Sequence, residues 1–243
     1  MQSLQELPKD VRFAVNEFRN GRFVLLHDSQ SRENEVDLVV AGEMTTPEHV
    51  RTMRQNAGGL ICVALAQEVG KQLGLGYLHD IFDVSSVHFP ILRELAEARE
   101  PYGDRPAFSI TVNHRRTFTG VTDQDRALTI CQLGKLSKKI LRNQTDCRLE
   151  FANQFRAPGH VYLLLESDGG LNHRRGHTEL SLYLCRLAGI TPAAAICEML
   201  DGKTYRALTA DAARSYAQEH RIPMIDGEIL LKHCKSKEQE SVQ

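Results

Sequence analysis

The sequence predicts an α/β (or α+β) chain folded around a mixed sheet. Helical and extended signals alternate along its whole length, no linker rich in Pro, Gly or Ser divides it, and no internal repeat is visible. Its 243 residues, 42% of them hydrophobic and 25% charged, suffice to bury a core that needs no metal or disulfide for stability. We therefore expect a single domain over residues 1–243, with a polar, frayed tail from about residue 234 to residue 243.

The first third of the chain is predicted to alternate helix and strand. Apolar residues at helical spacing predict a helix over 8–20, which Gly21 ends. Short apolar runs predict strands at 23–26, 38–41 and 60–66, and the charged segment 28–37 is expected to be a loop. Thr45 or Thr46 followed by Pro47 is typical of a helix start, and Gly58-Gly59 is typical of its end.

Beyond residue 66 the signals are less regular. Residues 67–106 mix glycine with charge and predict loops and short helices. Alternating polarity predicts a half-buried strand at 108–112, and Thr122 with Asp125 predicts the capped start of a helix that runs to about Ile140. The remaining elements are expected as strands at 160–165 and 193–199 and as helices at 178–187 and 209–220, the last capped by Thr209.

Charge and cysteine usage restrict the class of protein. Thirty basic side chains against 31 acidic ones give a net charge of −1, which argues against nucleic acid or anionic lipid as the partner. The N-terminus lacks a secretory signal, and the apolar runs are too short to span a membrane. The six cysteines form no CxxC pair, so we expect reduced thiols in a cytoplasmic protein rather than a thiolate zinc site.

The segment Ser31–Asp37 concentrates carboxylates. Glu33, Glu35 and Asp37 fall at alternate positions, and alternate side chains share a face in an extended segment. Three carboxylates on one face repel one another unless a cation neutralises them, and hard oxygen ligands without thiolates suit Mg²⁺ or Mn²⁺. The segment therefore predicts either a divalent metal site or a solvated acidic turn.

The segment His173–Glu179 lies where a helix is predicted to begin. A helix N-terminus presents unpaired N–H groups and a partial positive charge, which favour a phosphate. Arg174, Arg175 and the Thr178 hydroxyl add donors, Gly176 permits a close approach, and His177 offers a metal ligand or a proton carrier. The alternative is ordinary helix capping by Thr178 with solvated arginines.

Three further features are compatible with a site. The hydroxyls and glycine of 117–126 suit an oxyanion, although they suit a plain turn and helix cap better. Glu198 interrupts an apolar strand, and a buried carboxylate needs a partner or a function. His160 begins another strand, where a lone histidine is usually just hydrogen-bonded.

Five motifs occur in the order and at about the spacing found in one enzyme family. They are RENExD at 32–37, TGVTxxDR at 119–126, PGHV at 158–161, RRGHTE at 174–179 and ICEM at 196–199. Together they resemble 3,4-dihydroxy-2-butanone 4-phosphate synthase over about residues 13–229, and YGDRPAFSITVNH resembles its archaeal branch. The resemblance implies a three-layer α-β-α sandwich. It also implies conversion of D-ribulose 5-phosphate to 3,4-dihydroxy-2-butanone 4-phosphate and formate, a step of riboflavin biosynthesis.

The resemblance also implies roles for individual residues. Glu33 and His177 match the metal ligands. The implied catalytic residues are His160, Glu198 and Glu35, the last acting through metal-bound water. The implied substrate-binding residues are Arg32, Asp37, Arg174, Arg175, Gly176 and Thr178, with Thr119 and Cys62 as further candidates for lining the pocket.

Cofactor and assembly follow from the same resemblance. It implies two Mg²⁺ ions per site, with Mn²⁺ as the alternative ion, and a homodimer with its sites at the subunit interface. The cysteine cluster of the GTP cyclohydrolase II that is fused to some relatives is missing, so we expect a monofunctional protein. Two competing hypotheses are another metal-dependent enolising phosphosugar enzyme, such as an isomerase or aldolase, and a non-catalytic metabolite-binding protein.

Overall fold

A seven-stranded mixed sheet, covered by helices on both faces, organises the computed structural model, which describes residues 2–96, 103–144 and 146–241. The strands are β1 (Val24–His27), β2 (Val36–Ala41), β3 (Cys62–Leu65), β4 (Phe108–His114), β5 (Phe155–Leu165), β6 (Ala193–Glu198), β7 (Leu200–Asp201), β8 (Arg206–Ala207) and β9 (Met224–Asp226). The helices are α1 (Lys9–Arg19), α2 (Pro47–Thr52), α3 (Gln67–Leu73), α4 (Leu78–Ser85), α5 (Ile91–Ala96), α6 (Asp123–Leu141), α7 (Cys147–Gln154), α8 (His177–Ala188), α9 (Ala210–His220) and α10 (Gly227–Ser241).

The strand order is β4-β5-β3-β6-β2-β1-β9. The β3–β5 and β1–β9 pairs are parallel and the other neighbours are antiparallel, while β7 and β8 form a separate small hairpin. The predicted mixed sheet is therefore confirmed. One register is important for the site, because Asp37 on β2 lies opposite Glu198 at the end of β6.

Both faces of the sheet are buried. In β2, Leu38 and Val40 join the core under α2, α3, α6 and α9, whereas Val39 and Ala41 join the core under α1, α8 and α10. Because successive side chains of a strand alternate between faces, a strand covered on both sides is apolar throughout. This explains the continuous apolar runs and confirms the three-layer arrangement.

Capping agrees with the sequence at three of the predicted helix starts. Thr46, Thr122 and Thr209 each accept a hydrogen bond from a backbone N–H in the first turn of the helix that follows. At the other end of α2, a turn of π-helix over Met53–Ala57 leads to Gly58 with a φ of 93°, a conformation that favours glycine.

Several boundaries differ from the prediction. The expected loop 28–37 ends early because Val36 and Asp37 already pair in β2, and β5 begins at Phe155 rather than at His160. The expectation of a frayed tail from residue 234 was wrong up to Ser241, since α10 continues through it. Lys237 in this helix lies 2.8 Å from Glu6, and Tyr183 on α8 hydrogen-bonds His233 at 2.8 Å. Residues 242–243, and residues 97–102 of the irregular region, lie outside the described part.

Candidate active site

A cleft of about 460 Å³ opens where β2, β6 and the start of α8 meet. Its polar lining comprises Arg32, Glu33, Glu35, Asp37, Arg174, His177, Thr178 and Glu198, and its apolar wall includes Phe108, Leu164 and Ile196. The structure thus brings most of the acidic segment and most of the basic segment into one cavity.

His177 is the centre of the acidic cluster. As the first residue of α8 it is 6% exposed, with Nδ1 3.4 Å from Glu33 Oε2 and Nε2 3.7 Å from Asp37 Oδ1. Its Nε2 also lies 3.3 Å from the carbonyl oxygen of Glu35. Helix α8 is capped by Gly176 rather than by Thr178, so the alternative of simple Thr178 capping does not describe this helix start.

Asp28 holds the acidic loop in shape. Its buried carboxylate accepts hydrogen bonds from the backbone N–H groups of Glu33 and Glu35, at 3.0 and 3.1 Å. Between them, Asn34 adopts a φ of 55° and its side chain hydrogen-bonds His27. Asp28 is not among the predicted site residues because it precedes the alternating acids, although a carboxylate directly after a buried strand is a usable signal.

Three residues could hold a divalent cation. Ligand atoms of Asp28, Glu33 and His177 all lie within 4.8 Å of one another. Carboxylate oxygens and an imidazole nitrogen, without thiolate, suit Mg²⁺ or Mn²⁺. Beside these three residues, the buried Asp37 Oδ1 has no hydrogen-bond partner. A cation, or a water molecule bound to it, would satisfy this acceptor.

Burial and crowding change the proton affinity of these groups. Burial raises the pKa of Asp37 to about 8, and the nearby carboxylates add to this effect. Burial lowers the pKa of His177, but Asp37 and Glu33 outweigh that effect and raise it to about 10. Burial also raises the pKa of Glu35 and of Glu198. At neutral pH the cluster therefore retains protons that a cation would displace.

Glu198 is fixed at the end of β6. Its Oε2 accepts a hydrogen bond of 2.7 Å from the backbone N–H of Leu60, the residue after Gly59. A Cβ added at Gly59 would lie 2.4 Å from that same oxygen, so the glycine is required for this close approach. The carboxylate is thereby held in the cleft beside Asp37.

Two guanidinium groups occupy the basic side of the cleft. Arg32 Nη1 lies 2.6 Å from Glu33, and Arg174 Nη1 lies 2.8 Å from the fully buried Glu179. A third carboxylate, Asp104, lies 3.2 Å from Arg32 Nε and 3.9 Å from Arg174 Nε. Asp104 was not predicted to belong to the site, and it is 72 residues from Arg32 along the chain.

Five predicted site residues do not line this cleft, namely His160, Thr119, Arg175, Cys62 and Gly176, the last of which is the buried cap of α8. His160 and Thr119 are exposed and are joined through Asn113, whose amide contacts both His160 Nδ1 and the Thr119 carbonyl. Arg175 is exposed, and Cys62 is buried beside Ile196, where burial raises its thiol pKa well above the usual range. The segment around Thr122 forms the turn and helix cap that was the alternative for it.

Two further features concern the cysteines and the helices of the described part. None of the six cysteines, which all lie in the described part, forms a disulfide. Among the helices of that part, not one combines the length and the apolar character needed to cross a bilayer.

Comparisons with known proteins agree with the resemblance. The family model described as 3,4-dihydroxy-2-butanone 4-phosphate synthase matches residues 12–233. Proteins of that name from Methanothermobacter thermautotrophicus and Archaeoglobus fulgidus are 43% and 42% identical, over 91% and 93% of this chain and 94% of each relative. A crystal structure of such a synthase in complex with two magnesium ions superposes with a TM-score of 0.73 at 30% identity, covering 94% of this chain and 97% of that one.

Proposed function

Because the chain belongs to the 3,4-dihydroxy-2-butanone 4-phosphate synthase family, we propose that it converts D-ribulose 5-phosphate to 3,4-dihydroxy-2-butanone 4-phosphate and formate. One observation carries the proposal. A carboxylate–imidazole group suited to a divalent cation, Glu33 with His177, shares one cleft with two guanidiniums suited to a phosphate, Arg32 and Arg174. A small phosphorylated sugar is the kind of ligand that needs both ends of such a cleft.

We propose Mg²⁺ as the cofactor, two ions per site, with Mn²⁺ as the alternative. The two magnesium ions in the similar synthase structure and the donor set of Glu33 and His177 support this. When bound, the ions supply Lewis acidity to the carbonyl and hydroxyl oxygens of the sugar.

The protein's own groups then position the substrate and move protons. Arg32 and Arg174 bind the phosphate, assisted by the N-terminus of α8 at Gly176 and Thr178. Asp37 binds sugar hydroxyls, and Glu35 acts on a cation-bound water. Glu198 transfers a proton, a role suited to a carboxyl whose pKa is raised by burial and whose position is fixed by the Leu60 N–H.

His160 needs a different explanation, since β3 separates it from Glu198. Two strand spacings separate their backbones by about 10 Å, and His160 does not line the cleft that contains Glu198. We propose that the protein is a homodimer in which His160 and Thr119 of the partner subunit complete each cleft. The exposed position of both residues supports this, as does the 90% exposed Phe118 next to Thr119.

Subunit complementation tests the shared site. Glu198→Gln and His160→Ala are each expected to lower formate release by at least ~100-fold, the scale of general acid–base groups. In a mixed dimer of the two variants one cleft receives both intact residues, so random mixing should restore about one quarter of the wild-type rate. If both residues belong to the cleft of one subunit, mixing restores nothing.

The activity itself is tested with pure protein, ribulose 5-phosphate and Mg²⁺, by measuring formate over time. We expect formate to be released at the rate at which ribulose 5-phosphate is consumed, and we expect EDTA to stop both processes. Consumption of the sugar without formate would identify an isomerase or aldolase instead, and binding without consumption would identify a metabolite-binding protein.

A further inference from the structure

Asp104 lies where an anionic ligand of the two guanidiniums would lie. Its Oδ2 is 3.2 Å from Arg32 Nε and 3.9 Å from Arg174 Nε, and its side chain is one-third exposed. A carboxylate between two arginines has the geometry and the sign of charge of a bound phosphate oxygen.

Both guanidiniums are held in place without Asp104. Arg32 Nη1 is 3.5 Å from the buried carboxylate of Asp28 and is also paired with Glu33, and Arg174 Nη1 is paired with the buried Glu179. Asp104 lies instead beside the Nε atom of each group. Its removal should therefore leave the two arginines where they are.

The two guanidiniums also lie together at one helix N-terminus. A Cβ added at Gly176, the cap of α8, would lie 2.4 Å from Arg174 Nη1 and 2.9 Å from Arg32 Nη2, so both cations crowd one helix N-terminus. The buried Arg174 Nε has no hydrogen-bond partner, because Asp104 remains 3.9 Å away. A tetrahedral dianion can reach both Nε edges at once, which one carboxylate oxygen does not do here.

An adjoining cavity offers space for another position of the Asp104 side chain. It lines an adjoining cavity of about 560 Å³ with Gly103 and Arg105, and that cavity shares Pro106, Ala107 and Arg174 with the cleft. The preceding Gly103 has a φ of 89°, in the left-handed region. Because Asp104 already lines this cavity, a turn of its side chain away from the two Nε atoms and further into the cavity would free the arginines without disturbing their buried partners.

We propose that Asp104 is a specificity-determining residue that occupies the phosphate position and yields it only to a dianion. This rests on the proposed phosphate site. A monoanion such as acetate brings no more charge than the carboxylate it must displace, and an unphosphorylated sugar brings none. Only a phosphate dianion interacts strongly enough with the two guanidiniums and the helix N-terminus to displace the Asp104 carboxylate. Asp104 therefore excludes ligands of lower charge, and it also lowers the affinity for phosphate to some extent.

Calorimetric titration of the full chain with inorganic phosphate, in the presence of Mg²⁺, tests the proposal. In Asp104→Asn, phosphate is expected to bind at least ~5-fold more tightly, because it no longer has to displace a negatively charged carboxylate from the two arginines. Acetate should compete with phosphate in this variant and fail to compete in the wild type. Asp80→Asn is the matched control, because Asp80 lines the same adjoining cavity and pairs with His79 rather than with the two arginines.

The outcomes separate the proposal from the proposed function. Tighter phosphate binding in Asp104→Asn and in Asp104→Ser, but not in Asp80→Asn, supports the proposal. Unchanged or weaker binding overturns it, and weaker binding would show that Asp104 positions the arginines instead. Formate release by the wild type is measured in parallel. If the wild type releases formate but the Asp104 variants bind phosphate no more tightly than the wild type does, the role of Asp104 is refuted and the proposed function is not.

Discussion

Gly59→Ala tests whether the position of Glu198 is what catalysis requires. The new Cβ would lie 2.4 Å from Glu198 Oε2, 2.7 Å from its backbone oxygen and 2.8 Å from its Cβ. Ordinary contact distances are about 3.5 Å, so the carboxylate must retreat by ~1 Å and its hydrogen bond to Leu60 must lengthen. A displacement of this size at a catalytic group lowers turnover by about 100-fold.

Every proposed site residue keeps its own side chain in this variant. The effect on turnover therefore reports the position of Glu198 and not a change in the chemical groups of the site. We expect formate release to fall by ~100-fold, with a stability cost of about 1–3 kcal/mol for the overpacking. Mn²⁺ affinity should hardly change, because Glu33 and His177 are not in contact with Gly59. The matched control is Gly202→Ala, where an added Cβ meets no atom within 4 Å. A folded Gly59→Ala protein with the kcat of Gly202→Ala would refute the role given to Glu198.

Three further predictions concern metal, loop and phosphate groups. Because the pKa of His177 is raised to about 10, this residue must lose its proton when a cation binds, and Mn²⁺ affinity should therefore rise by up to ~10-fold per pH unit above pH 7. Calorimetry in two buffers of different ionisation enthalpy should show that protons are released on binding. An affinity that does not depend on pH would contradict the assignment of His177 as a ligand. Asp28→Ala removes a candidate ligand and the acceptor of two loop N–H groups, and it should weaken Mn²⁺ binding by at least about 10–100-fold. An unchanged dissociation constant would show that Asp28 neither binds the cation nor is needed to shape the loop. Glu179→Gln breaks a buried pair with Arg174 and should cost on the order of 3 kcal/mol in urea unfolding; an unchanged midpoint would show that the pair is not needed.

The parts of the site that lie within one short segment could be predicted from the sequence. Alternation of Glu33, Glu35 and Asp37 placed three carboxylates together, and the structure does bring them into one cleft, although only Asp37 lies in a strand. The basic segment at the start of α8 was likewise identified by charge and by the expected helix terminus. Both predictions rest on the local order of residues within one short segment.

The contacts between distant segments could not be predicted in this way. Asp104 reaches Arg32 from 72 residues away, and nothing in its own segment marks it as a partner. The same reason hid the separation of His160 from Glu198, which depends on β3 lying between their strands. The part of α10 from residue 234 onward was predicted to be frayed because its polar composition gives no sign of the contact that Lys237 makes to Glu6 in a remote part of the chain.

The most direct test of the proposed reaction follows one carbon atom. Ribulose 5-phosphate labelled with ¹³C at C4 is incubated with the protein and Mg²⁺ and observed by ¹³C NMR. We expect the label to leave as ¹³C-formate, so that the four-carbon phosphate carries none of it, and we expect Glu198→Gln to lower the rate at which the ¹³C-formate signal grows by at least ~100-fold. Retention of the label in a five-carbon sugar phosphate, or its appearance in a fragment other than formate, would contradict the proposed function.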